Sequence, residues 1–201
     1  CPEARARLDS GRPPMTAIAH SLAISCYVGA AALAAAPFVR PTRAPRGAVL
    51  AALCVGLAAH LVALFGVGRA TGAAPLTGLG PALSFAALIL IASLLVAELV
   101  AGEVSLTVLA APLAAAVAVA GHLTGLRPIA GPEGMRGVWL VSHIATSFAG
   151  IGALATAAAA GAMYLAEQRE LRARRFARLF RVFPPLATLD RVNHVAAVAA
   201  W

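Results

Sequence analysis

The chain has no lysine: all 16 of its basic residues are arginine, set against only 8 acidic ones, for a net charge of +8. Charged residues make up 12% of the sequence, about half the usual share in soluble domains. That scarcity excludes an ordinary soluble globular protein. With 61% hydrophobic residues and a mean hydropathy of +0.85, the composition is that of an integral membrane protein. The arginine-only, alanine-rich usage matches a high-GC bacterial coding bias and carries no mechanism. The positive charge does not point to nucleic acid, because the arginines sit beside apolar runs, where they set topology and meet anionic headgroups. Three cysteines, Cys1, Cys26 and Cys54, form no CxxC pair and no metal-ligand spacing. Cys26 and Cys54 lie within apolar runs, where a thiol acts as a small hydrophobe. No P-loop, HExxH, Ser/His/Asp set or carboxylate pair occurs, so nothing in the sequence supports a hydrolase or an ATPase. A carboxylate relay would need a buried partner for Glu98, and the sequence offers none.

Long apolar runs fill the rest of the sequence. A bilayer core of roughly 30 Å takes about 20 apolar residues as helix. Spans are expected over about Thr16 to Val39, Ala48 to Val67, Pro81 to Val100, Leu106 to Leu123, and from Gly137 onward. A sixth begins at Thr188 or Asp190, after the helix-breaking run Phe183-Pro184-Pro185-Leu186. The expected fold is all-α: a polytopic membrane helical bundle of five complete transmembrane helices plus the start of a sixth. Residues 1–14 are expected to be a non-native or disordered N-terminal segment, with Met15 as the start of a membrane domain over 15–201. A signal peptide is the rival reading, since Ala34-Ala35-Ala36 resembles a cleavage site. The first apolar run is longer than a usual signal core, which favours a retained helix.

Arginine counts orient the bundle. The loops after spans one and five are rich in arginine (Arg40, Arg43 and Arg46; Arg169 to Arg181), while those after spans two and four hold Arg69, Arg127 and Arg136. The two rich loops fall on one side and are expected to be cytoplasmic. His20, His122 and His143 then sit near the outer ends of their spans, His60 lies in the outer half of span two, and His194 faces the cytoplasmic side. Small residues such as Gly29, Gly56, Gly150 and Gly161 suit close helix packing.

An ionisable group inside a span is a functional candidate by default. His143 follows Trp139 by one helical turn, so both project from one face. Neutral imidazole suits haem iron, and an aromatic ring can pack on the porphyrin. The competing reading makes His143 a hydrogen-bonded packing residue and Trp139 an interfacial anchor. His60, placed within a span, must have a partner: a side chain, a water or a ligand. His20 and His122 are expected at the interface, where water can satisfy them, and Glu98 is expected to snorkel or pair with an arginine. Residues 167–181 read as an amphipathic extension lying on headgroups, or as a surface for a partner.

The order Trp139-x-x-x-His143, then Tyr164-Leu165-x-x-Gln168-Arg169-x-Leu171, then Phe183-Pro184-Pro185-Leu186-Ala187-Thr188-Leu189-Asp190, resembles the cytochrome c assembly protein family. The resemblance is to its CcsA and HemX-like (YpjD-like) branch and covers about Trp139 to Asn193, more loosely from His60. It implies a bacterial cytoplasmic (inner) membrane protein that handles haem at the outer face during c-type cytochrome maturation. Haem b would be the cofactor, with His143 as axial iron ligand and Trp139 and His60 contributing to its binding. Other maturation proteins and apocytochrome c would be partners, and nucleic acid would not. In the family a tryptophan-rich WGxxWxWD segment and a second histidine complete the external site. They would follow the sixth span, beyond Trp201. Bond-making by this chain alone is not expected. The alternative within the resemblance is a membrane regulator of tetrapyrrole synthesis acting through the cytoplasmic arginines Arg172, Arg174 and Arg175.

Overall fold

A computed structural model of the chain describes residues 15–39, 44–71, 76, 78–126, 138–173 and 183–201. Among the described residues six α-helices follow one another: α1 (Met15–Val39), α2 (Arg46–Thr71), α3 (Leu79–Ala101), α4 (Thr107–Leu123), α5 (Val138–Arg172) and α6 (Leu186–Ala199). Among the described residues there is no strand. Leu, Ala, Val and Ile dominate these segments, and with no water to satisfy the backbone, helix is the form that pairs every amide within its own segment.

Four of the helices, α1, α2, α3 and the part of α5 from Ser142 to Arg172, are long and apolar enough to cross a bilayer. The protein is thus a multi-pass membrane protein. The fourth helix has only 17 residues, about 25 Å of rise, which is short of a full apolar core. The sequence expectation of five complete spans therefore turns on α4. Helix α5 runs for 35 residues, about 52 Å, so it projects beyond the bilayer at the end carrying Arg169 and Arg172. The segment 1–14, the arginines Arg40 and Arg43, and the basic run 174–181 lie outside the described residues.

Packing joins α1 to α2 and α4, α3 to α4 and α5, and α5 to α6. The core is made largely of Ala23, Tyr27, Ala30, Leu53, Ile91, Leu94, Ala111 and Met163. Glycines govern the closest approaches. A Cβ on Gly56 would sit 2.6 Å from Cε1 of Tyr27, and one on Gly121 would sit 2.9 Å from the backbone N of Ser84. Gly29, expected to be a packing glycine, has nothing within 4 Å of its Cβ position. Its smallness is not what joins α1 to a neighbour.

The turn between α3 and α4 places Gly102 in the left-handed region at φ 73°, with its N–H donating to the carbonyl of Glu98. Glu98 itself departs from expectation. Rather than snorkelling to an arginine it is fully buried, and its Oε1 accepts from the Thr107 backbone N–H at 2.7 Å and from the Thr107 hydroxyl at 2.8 Å. The N-cap position of α4 is Leu106, which supplies no side-chain cap. The carboxylate of the preceding helix therefore satisfies the orphan donor at the start of α4.

The bundle has two distinct ends. At one, Phe38 meets Phe183 edge-on with ring centroids 6.3 Å apart. Arg46, Glu103, Ser105 and Pro184 line a cavity of about 450 Å³ there. At the other end lie the start of α1, the later turns of α2, the start of α3 and the end of α4, and there the histidines gather.

Candidate functional site

Position along each helix brings four polar residues of the histidine end to one depth. His20 and Ser84 are each about a turn and a half into their helices, His60 lies past the middle of α2, and His122 is next to last in α4. Tyr27 is two turns below His20 on the same face of α1. His20, Tyr27, His60 and Ser84 are all fully buried.

They form one hydrogen-bonded chain. The Ser84 hydroxyl lies 2.8 Å from Nε2 of His20 and 2.8 Å from Nε2 of His60. The Tyr27 hydroxyl lies 3.1 Å from Nδ1 of His60. The His20 and His60 rings meet edge to face at 4.8 Å, and the His122 ring stacks on His20 at 5.3 Å with an interplanar angle of 8°. Two buried nitrogens have no hydrogen-bond partner among the described residues: Nδ1 of His20 and Nδ1 of His122.

Backbone approach makes this gathering fit. Gly121 lets α4 lie against the Ser84 turn of α3, and Gly80 lies against the carbonyl of Gly125. That contact carries His122 to His20. Gly56 opens the space that the Tyr27 ring fills, which aims its hydroxyl at His60.

The residues singled out in the sequence separate into two places. His60 is fully buried with both ring nitrogens engaged. The partner that its position demanded is a pair of side chains. His143 and Trp139 stand elsewhere, on α5, and both are exposed, Trp139 at 83%. The Phe148 ring meets Phe85 of α3 edge-on at 5.6 Å. Since Phe85 follows Ser84 directly, the start of α5 lies at the histidine end, and His143 is about 7.5 Å further out along the helix than Phe148. His194 is exposed on α6. His20 corrects an expectation: it is not solvated at an interface but is fully buried and bonded to Ser84. Ser84 and Tyr27 went unnoticed in the sequence. The usable signal was that isolated polar residues in three apolar spans fall at matching depths.

Among the described residues no group of three or more His, Cys, Asp or Glu is placed to hold a metal ion. Cys26 and Cys54 are free thiols. An apolar groove of about 320 Å³ runs between α3, α5 and α6, lined by residues such as Ile89, Val96, Ala153 and Val195. It contains no histidine, so it offers no iron ligand. Of the arginines proposed to dock a cytosolic enzyme, Arg172 closes α5, while Arg174 and Arg175 lie outside the described residues.

A scan against protein-family models gave no match. Searches of curated proteins and of solved structures likewise found none.

Proposed function

We propose that this is a haem-handling protein of cytochrome c biogenesis in the bacterial cytoplasmic membrane, with five complete spans, α4 included, and its arginine-bearing end in the cytoplasm. The observation that carries the reading is the exposed pair Trp139 and His143 at the histidine end of the bundle, one turn apart on the helix that bears the family-like motif. Positive-inside counting puts that end outside.

The residues present fit haem b on one side only. His143 is accessible and offers an imidazole to iron, and Trp139 offers an apolar face to a porphyrin. His60 does not offer a free nitrogen in this arrangement, because Tyr27 and Ser84 occupy both. Its part is to hold α1, α2 and α3 together beneath the site. The second axial ligand would come from outside the described residues, in keeping with the family pattern. Haem bound there would supply the vinyl groups that c-type cytochromes carry as thioethers. The residues of this chain bind and orient it, and apocytochrome c with other maturation proteins would complete the task.

The test is haem titration of the natural full-length protein in detergent, read by the Soret band. His143→Ala is expected to weaken binding at least tenfold, whereas His194→Ala, on the opposite part of the bundle, leaves it unchanged. Undiminished binding in His143→Ala, with the variant folded by circular dichroism, would overturn the assignment.

A further inference from the structure

We propose that the cavity at the arginine end of the bundle binds the headgroup of a zwitterionic phospholipid, its phosphate held at Arg46 and its ammonium at Glu103.

Three helix N-termini meet at this cavity. Its walls include Arg46, the first residue of α2, Ser105, two residues before α4, and Pro185, which directly precedes α6. The first backbone bond of α2 runs from the Val49 N–H to the Pro45 carbonyl, and that of α6 from the Thr188 N–H to the Pro185 carbonyl. The amides of Gly47, Ala48, Leu186 and Ala187 therefore have no acceptor within their own helices. At α4 the Thr107 amide is already taken by Glu98. Aligned peptide dipoles give each N-terminus a partial positive charge and make it a place for an anion. Arg46 adds a full positive charge to the same wall.

The side chains around the cavity supply independent support. Its volume of about 450 Å³ falls within the range of small-ligand pockets. Ser105 lines it and is only 6% exposed, yet its hydroxyl has no hydrogen-bond partner. Hydroxyls within the helices, such as those of Ser25 and Thr156, donate to the carbonyl four residues earlier. Ser105 stands in the turn before α4 and has no such acceptor. A buried hydroxyl bears a desolvation cost until something accepts its proton. Arg46 and Glu103 face the same cavity, but among the described residues no ion pair joins them.

These groups select the ligand by its charge pattern. The free oxygens of a phosphate diester accept from a guanidinium fork and from helix N-terminal amides. Ser105 offers one further donor. Glu103 is an acceptor only; it repels a second anionic group and attracts an ammonium. A headgroup carrying both charges on one short arm bridges two residues that do not reach each other. Phosphoethanolamine has that form, whereas phosphatidylglycerol and cardiolipin lack the cation.

Place in the fold favours a lipid over a soluble molecule with the same head. The cavity lies where α1 and α3 end and α2, α4 and α6 begin, so it sits at the end of the spans, where basic pockets between helices meet lipid headgroups. Ala34, Pro37, Val104 and Phe183 complete its walls and give the glycerol and the first methylenes an apolar surface.

The experiment is native mass spectrometry of the natural full-length protein, free of haem, so that its outcome is independent of haem binding. The protein is titrated in detergent with phosphatidylethanolamine, phosphatidylglycerol and cardiolipin. Phosphatidylethanolamine is expected to be retained in preference to the other two. Arg46→Gln should weaken that retention about tenfold, the loss of one charge-assisted hydrogen bond. Glu103→Gln should keep a lipid bound but erase the preference. Ala44→Phe, at another lining position, fills the cavity with every charge in place and should abolish retention. Arg69→Gln, in the last turn of α2 at the histidine end, should change nothing. Soluble glycerophosphoethanolamine in large excess should not displace the lipid. Equal retention of all three lipids by the parent, or undiminished retention in folded Arg46→Gln or Ala44→Phe, would overturn the site. Displacement by the soluble head would overturn the lipid as its source.

Discussion

The imidazole rings of His20 and His122 stack with centroids 5.3 Å apart and planes 8° from parallel, where α1 packs directly against α4. The same end of α4 makes a close backbone contact with α3. At Gly121 an added Cβ would meet the Ser84 nitrogen at 2.9 Å and the Gly80 carbonyl oxygen at 3.0 Å. Neither is the movable end of a side chain, so Gly121→Ala must push the helices apart. The expected loss is about 1 to 3 kcal/mol, measured by denaturant titration in mixed micelles. The ring-current shifts of His20 and His122 should change with it. An unchanged midpoint with unchanged shifts would refute the close-packed junction.

Gly56 makes a different case, because its neighbour is the Tyr27 ring, with Cε1 2.6 Å from the Cβ position. A ring held by Gly56 on one side and by the His60 bond on the other has little room to yield. Gly56→Ala should destabilise by about 1 to 3 kcal/mol and lengthen the Tyr27–His60 hydrogen bond. The matched control is Gly29→Ala, which meets nothing within 4 Å and should be neutral or slightly stabilising through helix propensity. Equal effects at the two glycines would show that packing does not distinguish them.

The histidines should separate in the same way. His60→Ala removes two buried hydrogen bonds, leaves a cavity and strands the Tyr27 hydroxyl, for an expected loss of about 2 to 4 kcal/mol. His143→Ala and His194→Ala, both exposed, should stay within about 0.5 kcal/mol of the parent. Thermal or chemical unfolding of the three variants checks this. A neutral His60→Ala would mean that the buried network contributes nothing to holding α1, α2 and α3.

These contrasts show what was legible in the sequence. Apolar run length against bilayer thickness located every helix to within a few residues, because in lipid that single variable dominates. The sequence also required that His60 have a partner, since a buried polar group demands one. It did not identify Ser84 and Tyr27, because contacts between helices depend on rotation and tilt, and nearly uniform Ala/Leu/Val faces leave those undetermined. The same blindness misplaced His20 as interfacial. Its sequence position is near a helix start, but α2, α3 and α4 close over it. Glu98 was misread because its partner, Thr107, lies across a turn whose geometry rests on Gly102.

Glu98 carries its own prediction. Its Oε1 accepts both Thr107 donors at the start of α4, where no local side chain caps the helix. Glu98→Gln keeps an acceptor oxygen in place and should be tolerated. Glu98→Ala leaves the Thr107 N–H and hydroxyl without a partner in an apolar surrounding and should cost about 1 to 3 kcal/mol. Hydrogen exchange at the Thr107 amide reads the cap directly: protected in the parent and in Glu98→Gln, and faster in Glu98→Ala. Equal exchange in all three would show that Thr107 is capped by something else.

The orientation of the bundle decides on which side of the membrane His143 lies. Leu123, 80% exposed, ends α4 at the histidine end, and Glu103 is exposed in the turn at the arginine end. In a background with Cys1, Cys26 and Cys54 replaced by alanine, Leu123→Cys and Glu103→Cys each place one thiol at a known end. If the arginine-bearing end is cytoplasmic, a membrane-impermeant maleimide labels Leu123→Cys on intact spheroplasts and labels Glu103→Cys only after the membrane is opened. The reverse pattern would put Trp139 and His143 in the cytoplasm. Presentation of haem at the outer face could not then be the role of this chain.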